Sequence, residues 1–260
     1  MTSSVEKNSP MPVLLYHSVL PEPRGAFDVS VGQFAAHMAH LSEMGIRTLT
    51  VEQLAGRLAA GEKLPERTLA VTFDDACASY ADHALPILLG NKVRSTLYVE
   101  SAHVGGLGRD GVLRMSADAI SDAVREGVSV GSHSRTHAQL DVLSNDDAWR
   151  EISESRIELA ELTDTEISSF AYPHGFFSSG TAAMVRRAGY SSAVAVKNAF
   201  SHGLDDPFAI ARVTITVATD LESFKGICRG EGRPLAWKRE RVRTRAWRLG
   251  RRIGRVADRA

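Results

Sequence analysis

Four residues of the sequence have types and spacings that could support chemistry. Asp74 and Asp75 end an apolar segment, AVTFDDAC (70–77), and two histidines with the spacing His133-x-x-x-His137 follow another apolar segment. A carboxylate beside a buried strand needs a partner, because an unpaired buried charge is costly. Two neutral imidazoles and one carboxylate form a ligand set that leaves coordination positions open, as catalytic metal sites require. We therefore predict a divalent metal site, and zinc, cobalt and nickel all fit the residue types.

The spacing suggests which of these residues would bind the metal and which would act as general base. Residues four apart face one side of a helical turn, which predicts that His133 and His137 point at one ion. Adjacent residues at a strand end point in different directions, so one aspartate could bind the metal while the other acts as general base. Each pair also has a structural interpretation, since the histidines could cap a turn and the aspartates could cap a helix. The combination of the two pairs favours chemistry.

The elements that must position these residues follow from the apolar periodicity. Strands are predicted at 12–16, 68–73, 95–100, 128–133, 167–173, 191–196 and 208–216, with helices between them. This alternation favours an α/β fold with parallel strands and helical crossovers. For about seven such units a closed or nearly closed (β/α) barrel is the simplest architecture, and a doubly wound open sheet is the alternative.

The predicted strand ends carry most of the candidate residues. Parallel strands bring their carboxyl ends to one rim, where reactive groups are expected. The residues that follow these strands are His17, Asp74, Asp75, His133, His137 and His174. We expect them to converge.

Length and composition are those of an ordinary globular protein. The 260 residues suffice for one large domain, and 43% hydrophobic residues provide a sizeable core. Two cysteines, Cys77 and Cys228, suggest no disulfide framework. The sequence shows neither a secretory signal pattern nor an apolar run of about 18 residues that could span a membrane. These features predict a cytoplasmic location.

The charge distribution sets the C-terminal segment apart. Residues 229–260 contain 12 Lys or Arg and 3 Asp or Glu, a net charge of +9 in a chain whose formal charge is zero. We therefore divide the chain into a flexible N-terminus (1–10), a main domain (11–228) and a basic tail (229–260).

The tail is predicted to form a basic amphipathic helix. Its apolar residues recur at helical spacing at Val242, Ala246, Leu249, Ile253 and Val256. Such a helix could bind an anionic membrane through residues 233–260, which would place the protein on the inner face of the cytoplasmic membrane. Docking on the acidic domain or on a second subunit is the alternative, and nucleic-acid binding is a third. The oligomeric state is left open.

Three motifs, TFDDA (72–76), HSRTH (133–137) and FAYPHG (170–175), together resemble the polysaccharide deacetylases of carbohydrate esterase family 4, which share a homology domain with the nodulation-type chitooligosaccharide deacetylase. The opening LLYHSV (14–19) resembles the branch that includes poly-N-acetylglucosamine deacetylases. The resemblance covers residues 11–228. It implies a distorted (β/α) barrel, a divalent metal held by Asp-His-His, with Zn²⁺ as the first choice, and removal of N-acetyl groups from sugars.

The resemblance also implies roles for single residues. Asp75, His133 and His137 resemble the metal ligands, and Asp74 resembles the general base. His17 resembles the general acid of this branch, and His202 is the rival for that role because no late Leu-x-x-His motif is found.

The third motif implies an oxyanion-binding loop. His174 stands where a tyrosine is common, and a backbone donor would survive that change. We predict the substrate-binding residues to be Tyr172, Pro173, Gly175 and Arg212.

Three positions depart from the family pattern. Ala76 replaces the motif glycine, and Ala171 replaces an arginine that orients the base. Arg212 could supply that charge from a neighbouring strand. Cys77 is interpreted as a small buried residue.

The sequence thus predicts a metal-dependent hydrolase that releases acetate from an N-acetylated sugar or glycan, which the tail suggests could be lipid-linked. The alternatives are a metal amidohydrolase of the same fold acting on a non-sugar amide and a non-catalytic glycan-binding protein. The complete Asp-Asp-His-His set argues against the last.

Overall fold

Ten strands form in the computed structural model, which describes residues 9–62 and 65–236. They are β1 (Val13–Tyr16), β2 (Ser18–Leu20), β3 (Asp28–Ser30), β4 (Arg47–Leu49), β5 (Thr68–Phe73), β6 (Ser95–Val99), β7 (Ser129–Ser132), β8 (Ser169–Ala171), β9 (Ser192–Val196) and β10 (Ile210–Thr214). The predicted helix of the basic tail and most of the predicted flexible N-terminus lie outside the described residues.

Seven of these strands close a parallel barrel in the order β1, β10, β9, β8, β7, β6, β5, because β5 pairs again with β1. β4 pairs with the first half of β5, and β6 pairs with the second half. β2 and β3 form a separate short pair. The shortest pairing in the barrel joins β7 to β8, where Ser132 lies opposite Phe170. The predicted α/β barrel is confirmed.

Seven α-helices accompany the strands in the described ranges. They are α1 (Val31–Glu43), α2 (Val51–Ala59), α3 (Leu85–Gly90), α4 (Ala117–Arg125), α5 (Asn145–Thr163), α6 (Ser179–Arg187) and α7 (Leu221–Cys228). A π-helical turn (Tyr80–Ala84) precedes α3, so the single helix predicted there is divided. Among the described residues, no helix has the length and apolar character of a membrane span.

The helix starts follow from the local sequence. Every helix except α3 begins after a side chain that accepts a backbone N–H from the first turn, which satisfies a donor that the helix start leaves unpaired. These capping residues are Ser30, Thr50, Ser116, Ser144, Ser178 and Asp220.

The core divides into two layers because neighbouring residues of a strand face opposite sides of the barrel wall. Leu14 and Val71 belong to the large cluster that includes buried residues of the outer helices. Val13 and Ala70 belong to a smaller cluster that includes Leu54 and the other buried residues of α2. Helix α2 therefore closes the amino-terminal end of the barrel, and the opposite end is left for the strand-end residues.

Candidate active site

Three of the predicted residues meet at the carboxyl-terminal rim of the barrel. Asp75, His133 and His137 each offer one ligand atom, and these atoms all lie within 4.8 Å of one another. The Oδ1 atom of Asp75 lies 3.5 Å from Nε2 of His133 and 3.6 Å from Nε2 of His137. Residues that are far apart in sequence thus converge, because they follow β5 and β7 at the same end of a parallel barrel.

The donor set fits a divalent cation. Oδ1 of Asp75 is buried and has no hydrogen-bond partner in the described structure. Nδ1 of His133 donates to the carbonyl of Ala171 at 2.8 Å, which leaves the lone pair of Nε2 directed at the other two ligands. One unpaired buried carboxylate oxygen between two imidazole nitrogens is an arrangement that a bound metal would satisfy.

The electrostatics of the three residues agree with this interpretation. Burial lowers the pKa of His133 and of His137, and their carboxylate neighbours oppose this only in part. Both imidazoles are therefore neutral near pH 7, which is the form that binds metals. Burial alone would raise the pKa of Asp75, but His133, His17 and His137 bring it below its usual value.

The segment that carries the two histidines is not helical, so the prediction of a shared helical turn is wrong. Residues 133–139 form an irregular loop after β7, with left-handed φ values of 63° at Ser134 and 57° at His137. These bends turn the chain back on itself and bring the two imidazole centroids to 4.8 Å. The four-residue spacing therefore brings the two imidazoles together through a tight loop and not through a helical turn.

Asp74 forms a buried ion pair with Arg212 of β10. The guanidinium donates two hydrogen bonds to the carboxylate, Nη1 to Oδ1 at 2.6 Å and Nη2 to Oδ2 at 2.7 Å. Burial would raise the pKa of Asp74, but Arg212 and then His133 hold it well below its usual range. Oδ2 of Asp74 lies 3.5 Å from Nε2 of His133. The two adjacent aspartates therefore have different partners.

Three of the side chains predicted to bind substrate are buried. Arg212 is 0% exposed, and it contacts the site through its ion pair with Asp74. Its Cζ atom lies inside the barrel, 5.5 Å from the ring centroid of Tyr98. Tyr172 is also fully buried, and its hydroxyl donates to the carbonyl of Phe208. Pro173 is buried beside it. These side chains support the site from beneath its surface.

The Pro-His-Gly turn (Pro173–Gly175) lies against β9 at the edge of the site. A Cβ on Gly175 would lie 2.6 Å from the backbone nitrogen of Val196, and its φ is 73°, so only glycine fits. His174 is exposed in a left-handed conformation, and its ring centroid lies 4.4 Å from that of His137. The predicted oxyanion loop is thus adjacent to the candidate metal ligands.

His17 lies at the rim, directly after β1. Its Nδ1 is buried without a hydrogen-bond partner in the described structure. Its ring centroid lies 5.1 Å from that of Phe27, which is 55% exposed. His17 helps to lower the pKa of both Asp74 and Asp75, although His133 lowers each of them more.

His202, the rival general acid, lies at the other end of the barrel. The neighbouring Ser201 accepts a hydrogen bond from the backbone of Met11, which precedes β1. About six residues of extended chain separate Met11 from His17, which corresponds to about 20 Å. His202 is buried, and its Nε2 donates to the carbonyl of Ala236. The geometry therefore favours His17.

Left-handed backbone is concentrated at the site. Nine non-glycine residues within 9–62 and 65–236 have a positive φ, and five of them belong to the motifs. These five are Asp75, Ala76, Ser134, His137 and His174. Such conformations cost about 1–3 kcal/mol each and are retained where the surroundings enforce them. A φ of 48° at Ala76 also explains why glycine suits that position.

Sequence reasoning missed a buried ion pair beside the site. Arg114 donates to Glu100 at 2.8 Å, and the backbone of the next residue, Met115, bonds to Ala76. Neither residue belongs to a motif, so no sequence signal pointed to them. Cys77 is buried next to Arg114, and burial raises the pKa of its thiol to about 12, in agreement with a small, unreactive residue.

Comparisons with known proteins agree with this geometry. The family model described as polysaccharide deacetylase matches residues 61–193, just over half of the chain. The YxkH protein of Bacillus subtilis (strain 168), which bears a polysaccharide deacetylase name, is 23% identical over 211 residues, covering 81% of this chain and 73% of that protein.

Solved structures show the same fold. The Streptococcus pyogenes deacetylase PplD superposes with a TM-score of 0.77 at 19% identity, over 86% of this chain and 100% of that chain. IcaB from Ammonifex degensii superposes with a TM-score of 0.72 at 25% identity, over 87% of this chain and 99% of that chain. The family match, together with the site at the rim, leads to one conclusion: this chain belongs to the polysaccharide deacetylase family.

Proposed function

We propose that the protein removes N-acetyl groups from an N-acetylated sugar or glycan and releases acetate. The observation that carries this proposal is the placement of a metal-type triad directly beside a buried carboxylate that is held ionised by an arginine. Membership of the polysaccharide deacetylase family supports a sugar amide as the substrate. The exposed His174 and Phe27 flank the site at a rim that a glycan could approach.

Asp75, His133 and His137 would hold the metal. When bound there, a divalent cation, for which Zn²⁺ is our first choice and Co²⁺ or Ni²⁺ the alternatives, supplies the positive charge that polarises an amide carbonyl and acidifies water. The two imidazoles are neutral and the carboxylate is ionised near pH 7, so metal binding would require no change in their protonation states.

Asp74 would act as the general base. Arg212 keeps its carboxylate ionised and fixes both of its oxygens, so the orientation of the acceptor does not depend on substrate. A carboxylate in this position can take the proton of the attacking water as the bond to the carbonyl carbon forms.

His17 would act as the general acid. It lies at the same rim as the two aspartates, and protonation of the leaving amine nitrogen allows the C–N bond to break. The products are then acetate and a free amino sugar. The backbone of the Pro173–Gly175 turn would stabilise the oxyanion, since a preorganised donor there costs no reorganisation during the reaction.

The test of this function is acetate release from a panel of substrates. The panel should contain N-acetylated oligosaccharides, nucleotide-linked and lipid-linked N-acetyl sugars, and simple non-sugar acetamides. We expect release from at least one sugar class and none from the simple amides. Turnover confined to non-sugar amides would favour the amidohydrolase alternative. Binding of glycans with no turnover by the Zn²⁺-loaded protein would favour a glycan-binding role.

We also propose a cytoplasmic location with the basic tail on an anionic membrane surface. The net charge of +9 in residues 229–260 supports electrostatic attraction to acidic lipids. Co-sedimentation with vesicles of acidic phospholipid should pellet the full chain, and vesicles of neutral phospholipid should not. A variant ending at Ala236 should remain in the supernatant with both. Equal pelleting of the two proteins would contradict the membrane proposal and leave docking on the main domain.

A further inference from the structure

Glu151 of α5 contacts the loop between the two histidine ligands. Its Oε2 accepts the backbone N–H groups of Arg135 at 3.0 Å and Thr136 at 2.8 Å. Its Oε1 accepts the hydroxyl of Thr136 at 2.7 Å. A single carboxylate thus accepts three hydrogen bonds from two of the three residues between His133 and His137.

The hydrogen bonds formed within the loop itself hold only its ends. The Ser132 hydroxyl accepts the N–H of Ser134, and the Ser134 hydroxyl accepts the N–H of His137. Both Ser134 and His137 have left-handed backbone, which is unfavourable for residues with a side chain.

From outside the loop, the N–H of Ala102 donates to the carbonyl of Arg135, and the Arg135 side chain donates to Glu158 at 2.7 Å. Glu151 is the acceptor for the backbone N–H groups in the middle of the loop, and bonds to an ionised acceptor are stronger than neutral ones.

Residues other than Glu151 provide the buried contacts of α5. Helix α5 begins with its own cap at Ser144, and its contact with the body is made by other residues. Its buried residues are Ala148, Ile152, Ser155, Leu159 and Thr163. Glu151 is only partly buried beside them. Its removal should therefore change the position of the loop more than the stability of the barrel.

We propose that Glu151 is a positioning residue for metal binding, which holds the loop in the bent form that keeps Nε2 of His137 close to Oδ1 of Asp75. This inference rests on the proposed function, since it assumes that the triad binds a metal. Residues that orient ligands from outside the coordination sphere typically change metal affinity by about 10–100-fold when removed.

The experiment compares Zn²⁺ affinity among variants by competition with a chromophoric chelator. Glu151→Ala should weaken Zn²⁺ binding by about 10–100-fold. Glu151→Gln should fall between Glu151→Ala and the wild type, because the amide oxygen can still accept the two backbone N–H groups. Glu161→Ala is the matched control, since Glu161 is exposed on the same helix. It should bind Zn²⁺ like the wild type.

A second readout separates positioning from general stability. The thermal midpoint of metal-free Glu151→Ala should stay within a few degrees of the Glu161→Ala control, and the amides of Arg135 and Thr136 should exchange hydrogen faster. Should Glu151→Ala fail to fold, Glu151→Gln and Thr136→Val carry the test, and each should weaken Zn²⁺ binding.

Wild-type affinity for Zn²⁺ in Glu151→Ala, or in both Glu151→Gln and Thr136→Val, would overturn the inference while leaving the metal site intact. Absence of Zn²⁺ binding by the wild-type protein would instead overturn the metal site on which the proposed function rests. The two failures are therefore distinguishable.

Discussion

The two ends of the barrel are built on opposite principles. At the amino-terminal end, Val51, Leu54 and Leu58 of α2 pack against apolar strand residues, and the helix carries a complete capping box. At the carboxyl-terminal end, ionisable groups are buried beside one another and five non-glycine residues adopt left-handed backbone. The first arrangement stabilises the fold, and the second gives up stability for reactivity, as expected in barrels of this type. Substitutions at the amino-terminal end should therefore lower the free energy of unfolding, and substitutions at the carboxyl-terminal end should lower metal binding or turnover.

The largest effect at the reactive end is expected from His133→Ala. His133 is buried, is oriented by the carbonyl of Ala171, and provides one of three ligand atoms. The variant should lose bound metal and should fall to background acetate release. Metal content and acetate release should be measured together, with His83→Ala, at a half-buried histidine outside the site, as the control. Full metal occupancy in His133→Ala would show that the ligand assignment is wrong.

Asp74→Asn should separate chemistry from metal binding. Loss of a general base typically costs about 10²–10⁴-fold in turnover, while Asp75, His133 and His137 remain available for the metal. The change also leaves Arg212 buried without its partner, which should cost about 3–5 kcal/mol of stability. Turnover should therefore be assayed on protein whose fold has been checked by circular dichroism. Near-normal turnover would remove Asp74 from the mechanism.

Leu54→Ala tests the opposite end. Leu54 is fully buried in the cluster that closes the barrel. Its truncation should cost about 2–5 kcal/mol of unfolding free energy, measured by urea denaturation, with little change in turnover per folded molecule. A loss of turnover comparable to that of Asp74→Asn would mean that the two ends are not independent.

A buried histidine outside both ends gives a pH test. His37 stacks on Phe224 and hydrogen-bonds Tyr16, and burial lowers its pKa from 6.5 to about 4. Between these two pH values the unfolded chain binds a proton that the folded protein excludes, so stability should fall as the pH drops through this window. The loss corresponds to about 3 kcal/mol at most.

Urea denaturation of the wild type and His37→Phe at pH 7 and pH 4 measures this contribution. The variant should lose less stability over that interval, and the difference isolates His37 from the titrating groups at the rim. His83→Gln serves as a control. Equal losses in the wild type and in His37→Phe would contradict the prediction.

The sequence was most informative where local pattern and topology agree. The segment TLAVTF was predicted as a strand with the bounds that β5 has, and the parallel alternation placed Asp75 and His133 on one rim. The three-residue strands β2, β3 and β4 were not predicted, because so short a segment shows no periodicity. The His133–His137 loop was predicted with the wrong geometry, since left-handed bends at Ser134 and His137 leave no signature in a sequence that lacks glycine there.

Partners that are distant in sequence were the hardest to identify. Arg212 lies 138 positions from Asp74, and its charge was predicted only because a resemblance showed that an arginine was missing at Ala171. Its complete burial could not be read from composition, since arginine is mostly a surface residue. Nothing in the sequence marked Glu151 as part of the site, because acidic residues on a predicted helix usually face solvent.

The two ends of the described chain meet far from the rim. Pro10 packs on Gly230, Met11 bonds to Ser201, and Ala236 bonds to Phe200. All of these contacts lie at or near the amino-terminal end of the barrel. A variant that ends at Ala236 and is immobilised on a sensor or resin through that residue should thus expose the carboxyl-terminal rim of the barrel, with its candidate site, to solution. Bulky polymers could then reach it without steric conflict with the support.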